Sequence, residues 1–299
     1  MTLRFGLFGT GDWARDLHAT ALAAEPAAEL VGVWGRNPAK AAALADRFGI
    51  AAYDDVDALL GDVDAISVAL PPDVQAGIAI RAAESGRHLL LDKPLALDLA
   101  TADRVVAATD AAGVNSVVFF TLRFAQASAE WVQTVTAEGP WSGLRATWFA
   151  SHFHPDGHLP DSPWRRERGA LWDVGPHALS LAMALLGPVQ AVEAVAGAGD
   201  TVHLLLRHAE AASTVSLSLT MAPAAAIVEC AVYGDNGWRV MPPSPEDKVE
   251  AMRSAIRQLV DGVEHDSRDH PCDVHFARDV VAVLESAQTA LAADPGRRG

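Results

Sequence analysis

The sequence predicts an α/β domain followed by an α+β domain. Over the first 120 residues, short apolar runs alternate with helical patterns. These runs contain few polar residues, which indicates strands buried on both faces of a parallel sheet. Beyond residue 122, strand-like segments follow one another through connections as short as Gly199-Asp200, which indicates antiparallel or mixed pairing. We expect the boundary at residue 122, with domains 1–121 and 122–299.

The first domain is predicted to alternate strands and helices throughout. Its strands are rich in Val, Leu, Ile and Phe and cover residues 3–8, 29–34, 64–70, 88–91 and 115–120. Helical periodicity covers residues 14–24, 38–48, 74–86 and 99–113. This order is typical of a doubly wound parallel sheet with helices on both faces.

The second domain is predicted to combine helices with a run of strands. A helix at 124–139 precedes a strand that covers 143–153, and a loop then leads to a helix near 177–187. Four strands follow, at 189–198, 201–208, 212–221 and 226–234. Pro242–Pro245 is predicted to form a turn into a helix over 246–262, and residues 294–299 a frayed tail.

Composition favours a soluble, cytoplasmic protein with a small-molecule partner. Half of the 299 residues are apolar, which is enough for a sizeable core. The formal net charge of −15 argues against nucleic acid or an anionic membrane as partner, since either requires clustered Lys and Arg. No apolar run is long enough to span a membrane. Cys230 and Cys272 are too few for a disulfide framework or a cysteine metal site.

The stretch "GTGDWA", residues 9–14, follows the first strand and opens a helix. In a dinucleotide-binding turn the first glycine makes the bend, the second lets the backbone approach the pyrophosphate, and a third small residue lets helix and strand pack closely. The position at the head of several strand–helix–strand units favours this interpretation over an ordinary glycine turn. The predicted cofactor contacts in the turn are Gly9, Thr10, Gly11, Asp12 and Trp13.

The end of the second strand bears on the choice of cofactor. Gly35, Arg36 and Asn37 stand where an NAD site would carry Asp or Glu for the ribose hydroxyls. There is no acid here to repel a 2′-phosphate, and Arg36 can pair with one. The sequence therefore favours NADP(H) over NAD(H), with all three residues as cofactor contacts. The alternative is that Arg36 is a solvated charge at a helix start.

Lys93 follows the apolar strand "HLLL" and precedes Pro94. Ligands of open α/β sheets bind outside the carboxyl ends of the strands, so the amine is expected at the cofactor crevice. The proline restricts Lys93 to extended backbone geometry and thereby directs its side chain. A lysine there can stabilise the alkoxide that develops during hydride transfer. The alternative for a Lys-Pro pair alone is a surface turn.

Asp173 and His177 lie four residues apart at a predicted helix start in "GALWDVGPHALSL". Residues at i and i+4 share one helix face, and a carboxylate beside an imidazole fixes the tautomer and orientation of a general base. The alternative is an Asp that caps the helix and a His packed against the sheet.

These motifs together resemble the glucose-fructose oxidoreductase and inositol dehydrogenase family (Gfo/Idh/MocA), nearly end to end. The resemblance rests on "GTGDWA", on "LPPDVQAGIAIRAAESGRHLLLDKPLAL", on "LRF" at 122–124 and on "GALWDVGPHALSL". It implies a Rossmann domain, then a domain with an open, mostly antiparallel sheet whose exposed face mediates a homodimer or homotetramer. It also implies Lys93, Asp173 and His177 as the catalytic group. From these motifs, Leu70, Pro71, Asp92 and Lys93 join the predicted cofactor contacts.

Three positions depart from the family pattern. Asp92 replaces the usual glutamate before the lysine, and Gln75 stands where a histidine is frequent. Ser180 stands where an aspartate often follows the catalytic histidine. We expect the first two to affect the cofactor side and the third to affect how substrate hydroxyls are held.

Residues 151–169, rich in Pro, Gly, His and Asp, are expected to form a substrate-facing rim. His152, His154 and His158 lie near Asp156 and Asp161, so a metal site is geometrically possible. Hydride transfer needs no metal if Lys93 polarises the substrate oxygen, and we predict none. The predicted substrate contacts are Lys93, Arg123, His154, Trp164, Trp172 and His177. The tryptophans are equally suited to fill a core, and Arg123 is equally suited to a salt bridge at the hinge.

The sequence therefore predicts an NADP(H)-dependent dehydrogenase or reductase that acts on CH–OH groups. Its substrate is expected to be a secondary alcohol or ketone of a sugar, cyclitol or related diol. Two alternatives stay open at this point. One is a non-catalytic NAD(P)-binding regulator of the same fold, and the other is a dehydrogenase of an aromatic dihydrodiol or imine.

Overall fold

The computed structural model describes residues 1–157, 163–243 and 247–293. The predicted tail at 294–299, residues 244–245 of the predicted turn and residue 246 of the predicted helix lie outside the described residues. By their contacts, Met1–Ala125 and Glu246–Arg278 form one compact unit, and Gln126–Pro245 and Asp279–Gly299 form a second.

Twelve strands and eleven α-helices make up the described regions. The strands β1–β12 are Leu3–Phe8, Ala28–Trp34, Ala51–Tyr53, Ala65–Val68, His88–Asp92, Ser116–Phe119, Gly143–Phe149, Ala191–Ala196, Val202–Arg207, Ala212–Ser218, Ile227–Gly234 and Gly237–Val240. The helices α1–α11 are Thr20–Ala24, Pro38–Phe48, Val56–Gly61, Pro72–Glu84, Leu99–Ala112, Thr121–Phe124, Gln126–Glu138, Pro163–Asp173, Gly175–Leu186, Lys248–Glu264 and Val274–Ala293. A π-helical segment, Ala14–Ala19, leads directly into α1.

The first unit contains a six-stranded sheet in the order β3-β2-β1-β4-β5-β6, with every pair parallel. Its central strands are buried on both faces, since successive residues point to opposite faces and both are buried in the pairs Leu7-Phe8 of β1 and Leu89-Leu90 of β5. The side chains of Asn37 and Asp98 cap α2 and α5, because each accepts a hydrogen bond from a backbone N–H in the first turn of its helix. The strand order reverses beside β1, which is where sheets of this kind bind their ligands. The predicted α/β class is confirmed.

The helix α10 belongs to the first unit although it lies late in the chain. Glu25, just after α1, is 4% exposed, and its carboxylate accepts from Arg253 at 3.2 Å and from Arg257 at 2.7 Å. A buried carboxylate of this kind requires its cationic partners, which ties α10 to this unit. The division into domains at 1–121 and 122–299 stays a prediction.

The second unit contains a six-stranded sheet in the order β12-β11-β7-β10-β9-β8. Strands β7 and β10 are parallel and the other pairs are antiparallel, so the expected mostly antiparallel sheet is confirmed. Leu204, Leu206 and Val215 are buried on the face that the helices cover. On the other face, Leu205 and Trp238 are exposed.

Six elements are not among those predicted: β3, α3, α6, α8, β12 and α11. Strands β3 and β12 have only three and four residues, too few for a visible alternation. Helix α8 is rich in arginine and is interrupted at Gly169, whose φ of 66° departs from helical geometry. The strand that begins at Gly143 ends at Phe149, earlier than expected.

Candidate functional site

The glycine turn at residues 9–11 packs tightly against the ends of two neighbouring strands. Gly9 has a φ of +133°, and a Cβ there would lie 2.4 Å from the carbonyl oxygen of Ala69. A Cβ on Gly35 would lie 2.5 Å from Cγ2 of Thr10. A Cβ on Gly11, in contrast, would meet no atom within 4 Å. Glycine is therefore required for close packing at Gly9 in the turn and at Gly35 beside it. At Gly11 the backbone of the turn stays open.

The residues after Gly11 join this turn to a second loop. Ala14 is fully buried in the core, as the third small residue of the pattern should be. Asp12 is exposed and pairs with Arg15 at 2.9 Å. The indole N–H of Trp13 donates to Oδ2 of Asp92 at 2.6 Å. The dinucleotide-type turn and the segment that carries Lys93 are thus linked by one hydrogen bond.

The backbone around Lys93 is held by the side chain of Gln75. The amide nitrogen of Gln75 donates to the carbonyl oxygens of Asp92 at 2.6 Å and Pro94 at 3.2 Å, and its oxygen accepts from the N–H of Asp92 at 2.9 Å. The backbone N–H of Lys93 donates to Oδ1 of Asp92 at 2.8 Å. The Lys93-Pro94 peptide bond is cis. Gln75 was expected to affect the cofactor side, but its contacts could not be predicted because they join α4 to the end of β5.

A buried histidine, His18, also lies close to the carboxylate of Asp92. His18 has no exposed surface, and its Nδ1 lies 2.8 Å from Oγ of Ser67. Its Nε2 is 3.7 Å from Oδ2 of Asp92 and has no hydrogen-bond partner among the described residues. No sequence pattern distinguishes His18, because the periodicity of residues 14–24 predicts only a helix and does not single out one position.

The end of β2 presents the residues expected at the adenosine ribose. Arg36 is exposed, and its guanidinium makes no hydrogen bond or ion pair within the described part of the chain. The side chain of Asn37 accepts from the N–H of Lys40 at 3.1 Å and so caps α2. Leu70 and Pro71 are half-buried between β4 and α4.

In the second unit, Asp173 is the last residue of α8 and His177 is the third of α9, rather than both opening one helix. Asp173 is 4% exposed; its carboxylate accepts from Nε of Arg165 at 3.0 Å and lies 3.8 Å from Nδ1 of His152. The imidazole of His177 stacks on the indole of Trp148, with ring centroids 4.7 Å apart. These contacts hold both predicted catalytic side chains in place within this unit.

Three neighbouring predictions are clarified by the structure. Ser180 is fully buried, and its hydroxyl donates to the carbonyl oxygen of His177 at 2.8 Å, so it does not present the hydroxyl to a ligand. Nδ1 of His154 accepts from the N–H of Asp156 at 3.2 Å within a turn. Trp164 is half-buried beneath the guanidinium of Arg165, which lies 4.9 Å from the ring centroid.

Two predicted substrate contacts receive no support from their surroundings. Trp172 is 2% exposed, and its indole N–H donates to Oε1 of Gln288 at 2.6 Å, so it fills the interior of the second unit. Arg123 lies over the ring of Phe276 at 5.5 Å within the first unit. Both environments exist only after distant segments pack together, which explains why the sequence did not distinguish them.

The described residues include no group of three or more His, Cys, Asp or Glu side chains placed to hold a metal ion. Of the histidines and acids considered for such a site, His158 and Asp161 lie outside the described residues. Within the same described ranges, every helix is too short or too polar to cross a membrane.

Comparison with known proteins identifies the family. The model described as the oxidoreductase family with an NAD-binding Rossmann fold (Gfo/Idh/MocA) matches residues 3–120. The model of the Gfo/Idh/MocA C-terminal domain matches residues 144–240. The chain belongs to the Gfo/Idh/MocA oxidoreductases. The resemblance predicted from the motifs is therefore confirmed.

One relative of this Gfo/Idh/MocA oxidoreductase is dTDP-3,4-didehydro-2,6-dideoxy-alpha-D-glucose 3-reductase of Streptomyces violaceoruber. The two sequences are 35% identical, and the match covers 67% of this chain and 59% of the reductase. Inositol 2-dehydrogenase of Rhizobium meliloti (strain 1021) is 36% identical over 33% of this chain and 30% of its own length. The chain spans less than two thirds of the length of these curated relatives. The crystal structure of GenD2 from gentamicin A biosynthesis in complex with NAD is 25% identical, with a TM-score of 0.81 and coverage of 98% of this chain and 95% of that chain.

The glycine turn fits the dinucleotide that the family description names. Open space at Gly11 leaves the backbone accessible for the close approach of a pyrophosphate. The helix that begins after the turn directs its free N–H groups, and the positive end of its dipole, toward an anion at this position.

Proposed function

We propose that this Gfo/Idh/MocA oxidoreductase transfers hydride between a nicotinamide and a secondary alcohol or ketone of a sugar, cyclitol or related diol, with NADP(H) favoured over NAD(H). The observation that carries the proposal is the 2.6 Å hydrogen bond from Trp13 to Asp92. It joins the turn suited to a pyrophosphate, which follows β1, to the loop that presents Lys93, which follows β5. Cofactor binding and substrate polarisation are thus built at the ends of two strands of one sheet that only β4 separates.

The cofactor is held by residues of the first unit in this proposal. The glycine turn binds the pyrophosphate, and Arg36 pairs with the 2′-phosphate of NADP(H). The absence of an acidic residue at the end of β2 and the exposure of Arg36 support this preference. The full proposed set is Gly9, Thr10, Gly11, Asp12, Trp13, Gly35, Arg36, Asn37, Leu70, Pro71, Asp92 and Lys93.

The chain's own residues manage the proton. When bound, the nicotinamide supplies or accepts the hydride. The ammonium of Lys93 donates to the substrate oxygen and stabilises the alkoxide. His177 takes the hydroxyl proton during oxidation and returns it during reduction. Asp173, whose carboxylate Arg165 fixes at 3.0 Å, orients the imidazole.

The names of the relatives support the substrate class. A 3-reductase of a dideoxy sugar nucleotide and an inositol 2-dehydrogenase each act at a ring carbon that carries an alcohol or ketone. His154 and Trp164 are the proposed substrate contacts at the rim, since an imidazole and a flat apolar ring suit sugar hydroxyls and a sugar face.

We also propose that the enzyme is a homodimer or homotetramer formed through the second sheet. Apolar side chains are exposed on the face of that sheet opposite to its helices. They are Val195, Leu205, Ile227, Trp238 and Val240. They lie toward the two edges of the face, on β8–β9 and on β11–β12, and Arg145 and Glu229 form an ion pair between them. Several large apolar side chains exposed on one sheet face support an interface there.

The first experiment is a fluorescence titration of the purified protein with NADPH and, in parallel, with NADH. The proposal predicts tighter binding of NADPH, followed by turnover of sugar or cyclitol ketones in a carbonyl and polyol panel. Tighter binding of NADH would overturn the cofactor preference alone. Binding of neither dinucleotide would overturn the proposal, and turnover confined to aromatic dihydrodiols or imines would overturn the substrate class.

A further inference from the structure

We infer that Gln75 is a positioning residue for Lys93, an inference that rests on the role of Lys93 proposed above. Gln75 touches neither the amine of Lys93 nor the turn at residues 9–11 through any of its three side-chain hydrogen bonds. All three instead hold the main chain immediately before and after Lys93.

The amide of Gln75 is suited to this arrangement. Its nitrogen has two donors, which serve the carbonyl oxygens of Asp92 and Pro94, while its oxygen accepts from the N–H of Asp92. The opposite amide orientation would set the oxygen against two carbonyl oxygens and the nitrogen against an N–H, so the network fixes which atom is which. A neutral imidazole has one donor and one acceptor and could satisfy only part of this set.

Gln75 is 1% exposed, so water cannot replace the bonds that its removal would break. It lies in the first turn of α4, and its own N–H donates to the carbonyl oxygen of Pro71 at 2.9 Å. The amide is therefore held on a rigid element, and the bonds transmit that rigidity to the loop.

The geometry matters for catalysis because Lys93 acts through the direction of its amine. Its N–H is already held by the side chain of Asp92 at 2.8 Å, so Gln75 and Asp92 together restrain residues 92–94. Displacement of a reacting group by about 1 Å can reduce turnover by about 100-fold. Loss of the Gln75 amide should therefore reduce kcat while it leaves the pyrophosphate turn intact.

The chain offers a direct probe of this position, because it contains only three lysines, Lys40, Lys93 and Lys248. Reductive methylation with ¹³C-formaldehyde labels the three lysine amines and the N-terminal amine and preserves their charge. Lys40→Arg, Lys248→Arg and Lys93→Arg each remove one resonance and so assign the lysines. The variants are Gln75→Met, which keeps the side-chain length without hydrogen bonds, and Gln75→Glu, which keeps the acceptor and loses both donors.

Asn115→Leu is the matched control. It removes another buried side-chain amide of the first unit, whose nitrogen donates to the carbonyl oxygen of Ser267 at 2.6 Å. It should lower stability to a similar degree without affecting Lys93.

We expect Gln75→Met and Gln75→Glu to change the chemical shift of the Lys93 methyl resonance while that of Lys40 stays constant. We also expect kcat to fall by about 10- to 100-fold with the Kd for NADPH within about threefold. Gln75→His should recover part of the loss, since it restores one donor and one acceptor. If Gln75→Met does not fold, the glutamate and histidine variants carry the same comparison.

An unchanged Lys93 resonance in the folded variants, or equal effects in Asn115→Leu, would show that Gln75 has only a structural role. The resonance does not depend on turnover. If the wild-type enzyme oxidises and reduces no member of the panel, the proposed function fails on that ground, while the positional effect of Gln75 on Lys93 is still decided by the spectrum.

Discussion

The indole of Trp148 lies flat against the imidazole of His177, with 4.7 Å between ring centroids and 18° between ring planes. Trp148 is on β7 and His177 is on α9, so the contact spans the interface between the sheet and its helices. A stacked aromatic pair of this kind contributes about 0.5 to 1.5 kcal/mol beyond its buried area. The stack fixes the plane of an imidazole that we propose to carry the proton.

Replacement of Trp148 should therefore affect catalysis through His177. We expect Trp148→Leu to lower kcat by about 2- to 10-fold, in line with the loss of about 0.5 to 1.5 kcal/mol of stacking, and to leave cofactor affinity unchanged. Trp148→Phe, which keeps an aromatic face, is the matched control. Equal kcat values for the leucine and wild-type enzymes would show that the stack does not orient the imidazole.

The proposed proton carriers should be separable from cofactor binding. We expect Lys93→Met and His177→Gln to reduce kcat by about 10²- to 10⁴-fold, the usual contribution of a positioned acid or base. NADPH affinity, measured by fluorescence titration, should stay within about threefold of wild type in His177→Gln. The affinity of Lys93→Met can change as well, because Lys93 is also a proposed cofactor contact. Turnover at the wild-type rate in either variant would contradict the assigned role.

Arg36 should discriminate between the two dinucleotides. A hydrogen-bonded charged pair contributes about 1.5 to 3 kcal/mol, so Arg36→Ala should weaken NADPH binding by about 10- to 100-fold and leave NADH binding nearly unchanged. Arg104→Ala, which removes another arginine of the first unit on α5, is the control. Equal losses for NADPH and NADH would mean that Arg36 does not contact the 2′-phosphate.

Stability should fall in mild acid because of His270. Burial, and to a lesser extent the nearby charge of Arg123, lowers the pKa of its imidazole to about 4. An unfolded chain has a histidine pKa of about 6.5 and so binds more protons than the folded chain between these values. The contribution of His270 is thus fully present above the unfolded pKa and is lost as the pH falls toward the folded one.

The measurement is urea unfolding at pH 7 and pH 5. We expect His270 to account for about 2 kcal/mol of the decrease in unfolding free energy between these conditions, and His270→Gln to remove that share. His265→Gln is the contrast, because the backbone carbonyl and carboxylate of Asp261 raise the pKa of His265. An equal pH dependence in wild type and His270→Gln would contradict the prediction.

The exposed sheet face should control assembly. The side chains of Trp238 and Leu205 are 56% and 47% exposed. Trp238→Asp and Leu205→Glu would replace each of them with a charged group on this face. We expect the double variant to elute as a monomer in size-exclusion chromatography with light scattering, whereas the wild type elutes as a dimer or tetramer. Arg104→Ala serves again as control. A wild type that is monomeric at micromolar concentration would refute the proposed oligomer.

The sequence by itself determined the parallel sheet, the glycine turn and the family. Apolar strands without alternation, a turn that only glycine allows at Gly9, and the Lys-Pro and Asp-x-x-x-His motifs are local patterns, so they are visible without a structure. Helix and strand boundaries were harder where elements are short, as in β3, or interrupted, as at Gly169 in α8.

Only the tertiary structure decided which side chains surround the candidate groups. The bonds from Gln75 to Asp92 and Pro94 and from Trp13 to Asp92 join separate elements of the first unit. The bond from Arg165 to Asp173 crosses the interruption of α8 at Gly169. Folding likewise buried Trp172 against Gln288 and set Arg123 over Phe276. Local periodicity reports the burial of a face, whereas hydrogen-bond partners depend on distances between residues far apart in the chain. The fold class and the family were therefore predictable, but the contacts around the candidate side chains were not.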